Sequence, residues 1–171
     1  MSRIAFYTFG ILREEKGHEQ VQGFFDRIES VFAAAENAEG FIDRDRGEWG
    51  DRVAPRFFDR NRHASAPATL SLWTDLESVY AFAYRDAHGE AFHKRREWAL
   101  KPEWPTYVAW WVDDDHIPTR EEACQRHEHI HDHGPSAYAF GFSQPFDEKG
   151  QPGELDRHLI QERIRSNESQ K

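Results

Sequence analysis

The residues of this chain best placed for chemistry are Tyr84 and His88, four apart in "VYAFAYRDAHGEAF". Around them Leu76, Val79, Tyr80, Ala83, Ala87, Ala91 and Phe92 recur at spacings of three and four, the stripe of a helix with one apolar face. His88 lies on that stripe. An imidazole with an ordinary pKa near ~6.5 can give and take protons or bind a metal. A phenol one turn away can donate a hydrogen bond to a substrate oxygen. Two settings would turn His88 inward: a packed core in which a backbone carbonyl satisfies the ring, or a pocket that the helix lines. The stripe alone leaves the two level.

A second concentration of imidazoles is "RHEHIHDHG", residues 126–134. At helical pitch its histidines split into the pairs His127/His131 and His129/His133. Such a pair can hold zinc, but a good site needs a third ligand and an orienting shell. No HExxH motif is present, so the run is expected to pack a helix and no metal site is expected. GxSxG, P-loop and strand-following GxGxxG patterns are absent too, which leaves hydrolase-elbow, nucleotide and Rossmann readings without support.

These groups must be held by a scaffold, and bulk composition bounds it. At 171 residues, with 14% aromatic side chains, the chain suits one domain with a substantial core. The 31% charged residues and mean hydropathy of −0.88 call for an extensive wet surface. A net charge of −9 offers no attraction to nucleic acid or anionic membrane. Cys124 is the single cysteine, so no intrachain disulfide framework is expected. There is no apolar run near membrane-span length and no signal-peptide pattern, so a soluble cytoplasmic protein is expected.

The elements read as β-α-β, β-α-β. "RIAFYTF" (3–9) and "TYVAWWV" (106–112) are apolar on both faces, as in strands covered on both sides. "GFIDR" (40–44) and "TLSLW" (69–73) supply two more strands. The spacing of Val21, Phe24, Phe25, Ile28, Val31, Phe32 and Ala35 predicts one helix between the first two, and the Tyr84/His88 helix follows the third. Two such units form a four-stranded antiparallel sheet with helices on one face. Because one apolar sheet face then lacks cover, a homodimer through the sheet is expected. Residues 43–68 form a long connection carrying six arginines and Trp49, Phe57 and Phe58, either a lid or a solvated loop with a few anchors. Thr119 to Glu122 is a capping box and Gly134-Pro135 a stop, so a further helix spans 120–133. "SAYAFGF" (136–142) fits a strand or an extended edge. Residues 148–171 are a polar tail after a domain of 1–147, with Leu155, Leu159, Ile160 and Ile164 as its apolar anchors.

The stretch "TLSLWTDLESVYAFAYRDAHGEAFHKRREW" resembles the dimeric α+β-barrel superfamily, which includes antibiotic-biosynthesis-type monooxygenases and haem-degrading monooxygenases. More closely, "YRDAHGEAFHKRREW", "YVAWWV", "HIPTREEA" and "EHIHDHGPSAYAFGF" resemble an uncharacterised bacterial family of that superfamily over residues 1–147. The resemblance implies a ferredoxin-like α+β protomer with an extra C-terminal helix, paired with a second copy to close a barrel. It also implies a pocket between sheet and helices with His88 turned into it. The function that follows is secondary-metabolism chemistry, oxygenase-like or acid–base, on a small hydrophobic metabolite, aromatic or polyketide-like, without a cofactor. His88 is then the acid/base and Tyr84 an orienting donor. Trp73, Phe92 and Trp98 are walls, and Arg96 is an anion partner. Two alternatives stand beside it: a haem enzyme with His88 as axial ligand, and a non-catalytic ligand-binding or structural dimer.

Overall fold

Alternation along each strand sorts the side chains onto two apolar faces, and the fold is the means by which both are covered. The computed structural model describes residues 2–47, 53–84 and 96–169. Within them β1 (Arg3–Phe9), β2 (Phe41–Arg44), β3 (Ala68–Trp73) and β4 (Tyr107–Val112) form one sheet in the order β2-β3-β1-β4. All pairings are antiparallel, with Tyr7 opposite Leu70 on one side and Val108 on the other. The architecture is α+β, as the order of elements predicts. The "SAYAFGF" segment joins the β4 edge at one point, where Phe140 and Ala109 exchange backbone hydrogen bonds of 2.8 and 3.0 Å.

Five helices complete the described elements: α1 (Glu19–Phe25), α2 (Ile28–Glu36), α3 (Leu76–Ala83), α4 (Arg120–His133) and α5 (Arg157–Ser169). The single helix expected over 18–36 is two, parted at Asp26 and Arg27. Both residues keep φ and ψ near helical values, so the apolar spacing carries through the break almost in phase. Gly40 opens β2 at φ +85, where an added Cβ would sit 2.6 Å from Ser78 Cβ, so only glycine fits. Asp75 caps α3, accepting from the Ser78 backbone N–H at 2.7 Å and from its hydroxyl at 2.6 Å. It also accepts from Arg163 of α5 at 2.8 Å. Burial alone would raise the Asp75 carboxyl, but those hydrogen bonds outweigh it and hold the group below its ordinary range. Ile160 and Ile164 complete the attachment by packing α5 on Ala81 of α3. No helix among the described residues is long and apolar enough to cross a membrane.

Ile4, Phe6, Trp73 and Ala109 point to the face shared with α2 and α3, whereas Ala5, Tyr7, Leu70, Leu72, Val108 and Trp110 point to the other. That second face, expected to meet a second copy, is covered by α4. Ala123 and Cys124 are small enough to bring the helix down onto it, and Thr119 caps the helix as expected by accepting from the Glu122 N–H at 3.2 Å. The 53–67 part of the long connection is tied to α4 as well. Phe57 stacks 6.0 Å from Trp104, and Arg56 pairs with Asp132 and Glu128.

His127 belongs to this cover and is fully buried among Tyr7, Phe9 and Phe57. Its Nε2 donates to the Pro105 carbonyl, while Nδ1 has no partner among the described residues, so the ring is neutral. Burial, partly opposed by that hydrogen bond, sets its pKa below the ordinary value. A depressed histidine pKa means that the unfolded state binds the proton more readily. The stability at stake is fully present above ~6.5 and is lost as pH falls from there through the folded-state value. Urea denaturation at about pH 7.5 and about pH 5.5 is expected to show a loss in the wild type that His127→Gln, which cannot titrate, lacks. An equal loss in both proteins would contradict a neutral buried ring.

Candidate functional site

On the other face the helices do not close down. Between the Phe6, Thr8, Thr69, Ser71 and Trp73 side of the sheet and α1, α2 and α3 lies a cavity of about 1090 Å³. Its interior is mostly rings: Phe24, Phe32, Phe82 and Phe142 join Phe6 and Trp73. Volume and lining suit a small apolar molecule.

Four residues singled out in the sequence line this cavity together: Trp73, Tyr84, Arg96 and Trp98. Trp73 is 1% exposed, and its indole donates to Ser71 Oγ at 2.9 Å, which locks the ring edge-on to Phe41. Trp98 is buried at the opposite wall against Phe24 and Val21. Arg96 is exposed, and its carbonyl accepts from Arg13 at 3.4 Å. Tyr84, just past the end of α3, is 46% exposed, with its ring 4.6 Å from Tyr80 and 5.8 Å from Phe142. His88 and Phe92 lie outside the described residues.

Tyr107, which the sequence reading did not single out, adds a second phenol beside Tyr84. The two phenols lie close enough to influence each other electrostatically, and the Phe142 backbone also acts on Tyr107. Burial first, then the neighbouring Tyr84, pushes the Tyr107 phenol up to about 12. It therefore stays protonated at neutral pH and serves as a hydrogen-bond donor rather than a base. Gly141 makes room for it, since a Cβ there would sit 3.1 Å from the Tyr107 ring. One signal for Tyr107 was available in the strand pattern, because it shares the face of Ala109 and Trp111 at the mouth of β4.

The histidine run splits by environment. His127 is buried under the sheet, His131 pairs with Asp132 at 2.8 Å, and the His129 and His133 rings lie 4.7 Å apart on the surface beside Tyr138. No cluster of three or more His, Cys, Asp or Glu suited to a metal ion occurs among the described residues.

A family model described as "Domain of unknown function (DUF3291)" matches residues 3–155. No curated protein matches the sequence. Among solved structures, SnoaB, a cofactor-independent oxygenase from Streptomyces nogalater, is similar at 9% identity and TM-score 0.42, over 68% of this chain and 97% of that one. A conserved protein from Methanosarcina mazei Go1 is similar at 19% identity and TM-score 0.44, over 66% and 92%. NE2512 from Nitrosomonas europaea, a protein of unknown function, aligns at 12% identity and TM-score 0.44, over 70% and 95%. Likeness at this level bears on neither substrate nor reaction.

Wall and working group should separate in stability measurements. Trp73→Ala removes a buried ring and is expected to cost about 3–5 kcal/mol in urea denaturation. Tyr84→Phe removes a half-exposed hydroxyl and is expected to cost less than about 1.5 kcal/mol. Equal losses would make Tyr84 a structural residue.

Proposed function

This chain belongs to the DUF3291 family, and from its cavity we propose an enzyme that acts on a small hydrophobic metabolite, aromatic or polyketide-like, through proton transfer without an obligatory cofactor. The observation that carries the reading is an aromatic cavity of about 1090 Å³ with two neighbouring phenols on its lining, Tyr84 and Tyr107. In this reading His88, four residues beyond Tyr84, is the acid/base. It takes a proton from an acidic C–H or O–H of the substrate, and the phenols donate hydrogen bonds to the oxygen that gains negative charge. The enolate or phenolate so formed is electron-rich. It can be reprotonated elsewhere, which is acid–base chemistry, or pass electrons to dioxygen, which is oxygenase chemistry. Trp73, Phe92 and Trp98 shape the binding site, and Arg96 attracts anionic ligands at its rim.

The homodimer implied by the family resemblance stays part of the reading, and α4 covers the sheet face through which it was expected to form.

Both chemistries start with the same proton removal, so isotope exchange tests them together. Aryl ketones and 1,3-diketones, which carry an acidic C–H, should gain deuterium at that carbon in D2O faster in the presence of the protein. His88→Ala should cut that exchange by about 100-fold or more while leaving the melting temperature nearly unchanged. Exchange indifferent to His88→Ala would overturn the assignment. A Soret band in the purified protein, lost in His88→Ala, would replace it with a haem enzyme.

A further inference from the structure

Charge along the cavity runs opposite to charge in the chain as a whole. The protein carries 31 acidic against 22 basic residues, yet the charged lining among the described residues is Arg27, Arg44, Arg46, Arg96 and Lys101 with Asp45 alone in opposition. Asp45 is bound to Arg120 of α4. Arg44 and Arg46 share Glu36, at 2.8 and 2.7 Å. Arg96 and Lys101 are exposed. Arg27 differs from all of these, being half-buried with no carboxylate partner among the described residues.

Its position is built. One Arg27 Nη donates to the Gly23 carbonyl at 2.7 Å, and the guanidinium lies 5.4 Å from the Trp98 ring, which holds it by a cation–π contact. Gly23 is what permits this. A Cβ there would fall 3.3 Å from both Arg27 Nη1 and Trp98 Cζ2. A glycine inside a helix is unfavourable for the helix itself, and here it leaves room for the arginine and indole to close together. The other guanidinium N–H donors of Arg27 have no hydrogen-bond partner among the described residues. A partly desolvated guanidinium in that condition gains most from an oxyanion, which can accept two parallel hydrogen bonds from its fork.

We propose that Arg27 is the anchor for an anionic group on the ligand, so that the cavity takes an apolar skeleton bearing one oxyanion, a carboxylate or an acidic enol or phenol. This rests on the cavity being a ligand site and narrows the substrate class of that site. It also moves the principal anion partner from Arg96, exposed at the rim, to Arg27, against the buried Trp98.

Two fluorescent probes with one skeleton test it: anilinonaphthalene sulfonate, which is anionic, and phenylnaphthylamine, its uncharged counterpart. The wild-type protein should bind the sulfonate more tightly than the amine. Arg27→Met should weaken the sulfonate by about 10-fold or more and leave the amine within about 2-fold. Arg27→Lys should retain part of the preference. Gly23→Ala, which leaves the charge but displaces it, should weaken the sulfonate in the same direction. Unchanged amine binding reports that the cavity in each variant is intact. Equal binding of both probes by the wild type, or a sulfonate affinity indifferent to Arg27→Met, would overturn the anchor while the cavity reading stands. Failure of the wild type to bind either probe would overturn both.

Discussion

A sheet that is apolar on both faces must be covered on both faces, and most of this structure follows from how a single chain meets that demand. Trp110 and Tyr7 supply bulk on one face, so α4 needs only small residues, Ala123 and Cys124, to close against them. His127 completes that contact by spending its one donor on the Pro105 carbonyl, which lets an imidazole sit among rings without charge. The result is a tightly packed layer on that face. Cover on the opposite face is incomplete: α2 and α3 pack at one end through Ala35, Leu76 and Val79, but α1 and the start of α2 stand off the sheet. The cavity is the space this leaves. Its position is thus set by which face is covered tightly and which loosely.

The devices that hold the loose side apart are polar. Arg163 ties α5 to the N-terminal cap of α3 through Asp75 and to Glu39 in the turn before β2, so the helix that ends at Tyr84 is fixed at its start. Glu36 gathers Arg44 and Arg46 at the cavity edge, and the Arg44 guanidinium lies 4.1 Å above the Phe32 ring. A rim of paired cations over aromatic walls stays open to water while its interior remains apolar. That combination suits a ligand that is partly polar.

Local pattern revealed the strands and α4 because the physics that forms them is local. Ile4/Phe6 against Ala5/Tyr7 is a period-two alternation, and Thr119 with Gly134 at φ +78 brackets a helix by its own backbone needs. The parting of α1 from α2 left no such mark, since neither Pro nor Gly occupies 26–27 and the apolar phase survives it. That α4 covers the sheet was also hidden. Its apolar stripe is thin because its partners are large, and thin stripes resemble solvated helices. At the site, Trp73, Tyr84 and Trp98 could be marked from one helix and its flanks. The strand pattern could place Tyr107 on a face but could not give it or Arg27 a role, because what distinguishes them is a neighbour far away in sequence: Tyr84 for the first, Trp98 for the second. The fold was largely legible, and the site only where it coincides with a continuous segment.

The central claim is that an apolar molecule occupies the space between the sheet and α1 to α3. A crystal structure of the protein soaked with phenylnaphthylamine tests it most directly. The account predicts aromatic density in that space, in contact with Phe6, Trp73 and Phe142, with α4 unmoved on the opposite face. Helices collapsed onto the sheet with the space filled by their own side chains, or the probe seated on the exposed Ile117 and Tyr138 surface instead, would contradict it.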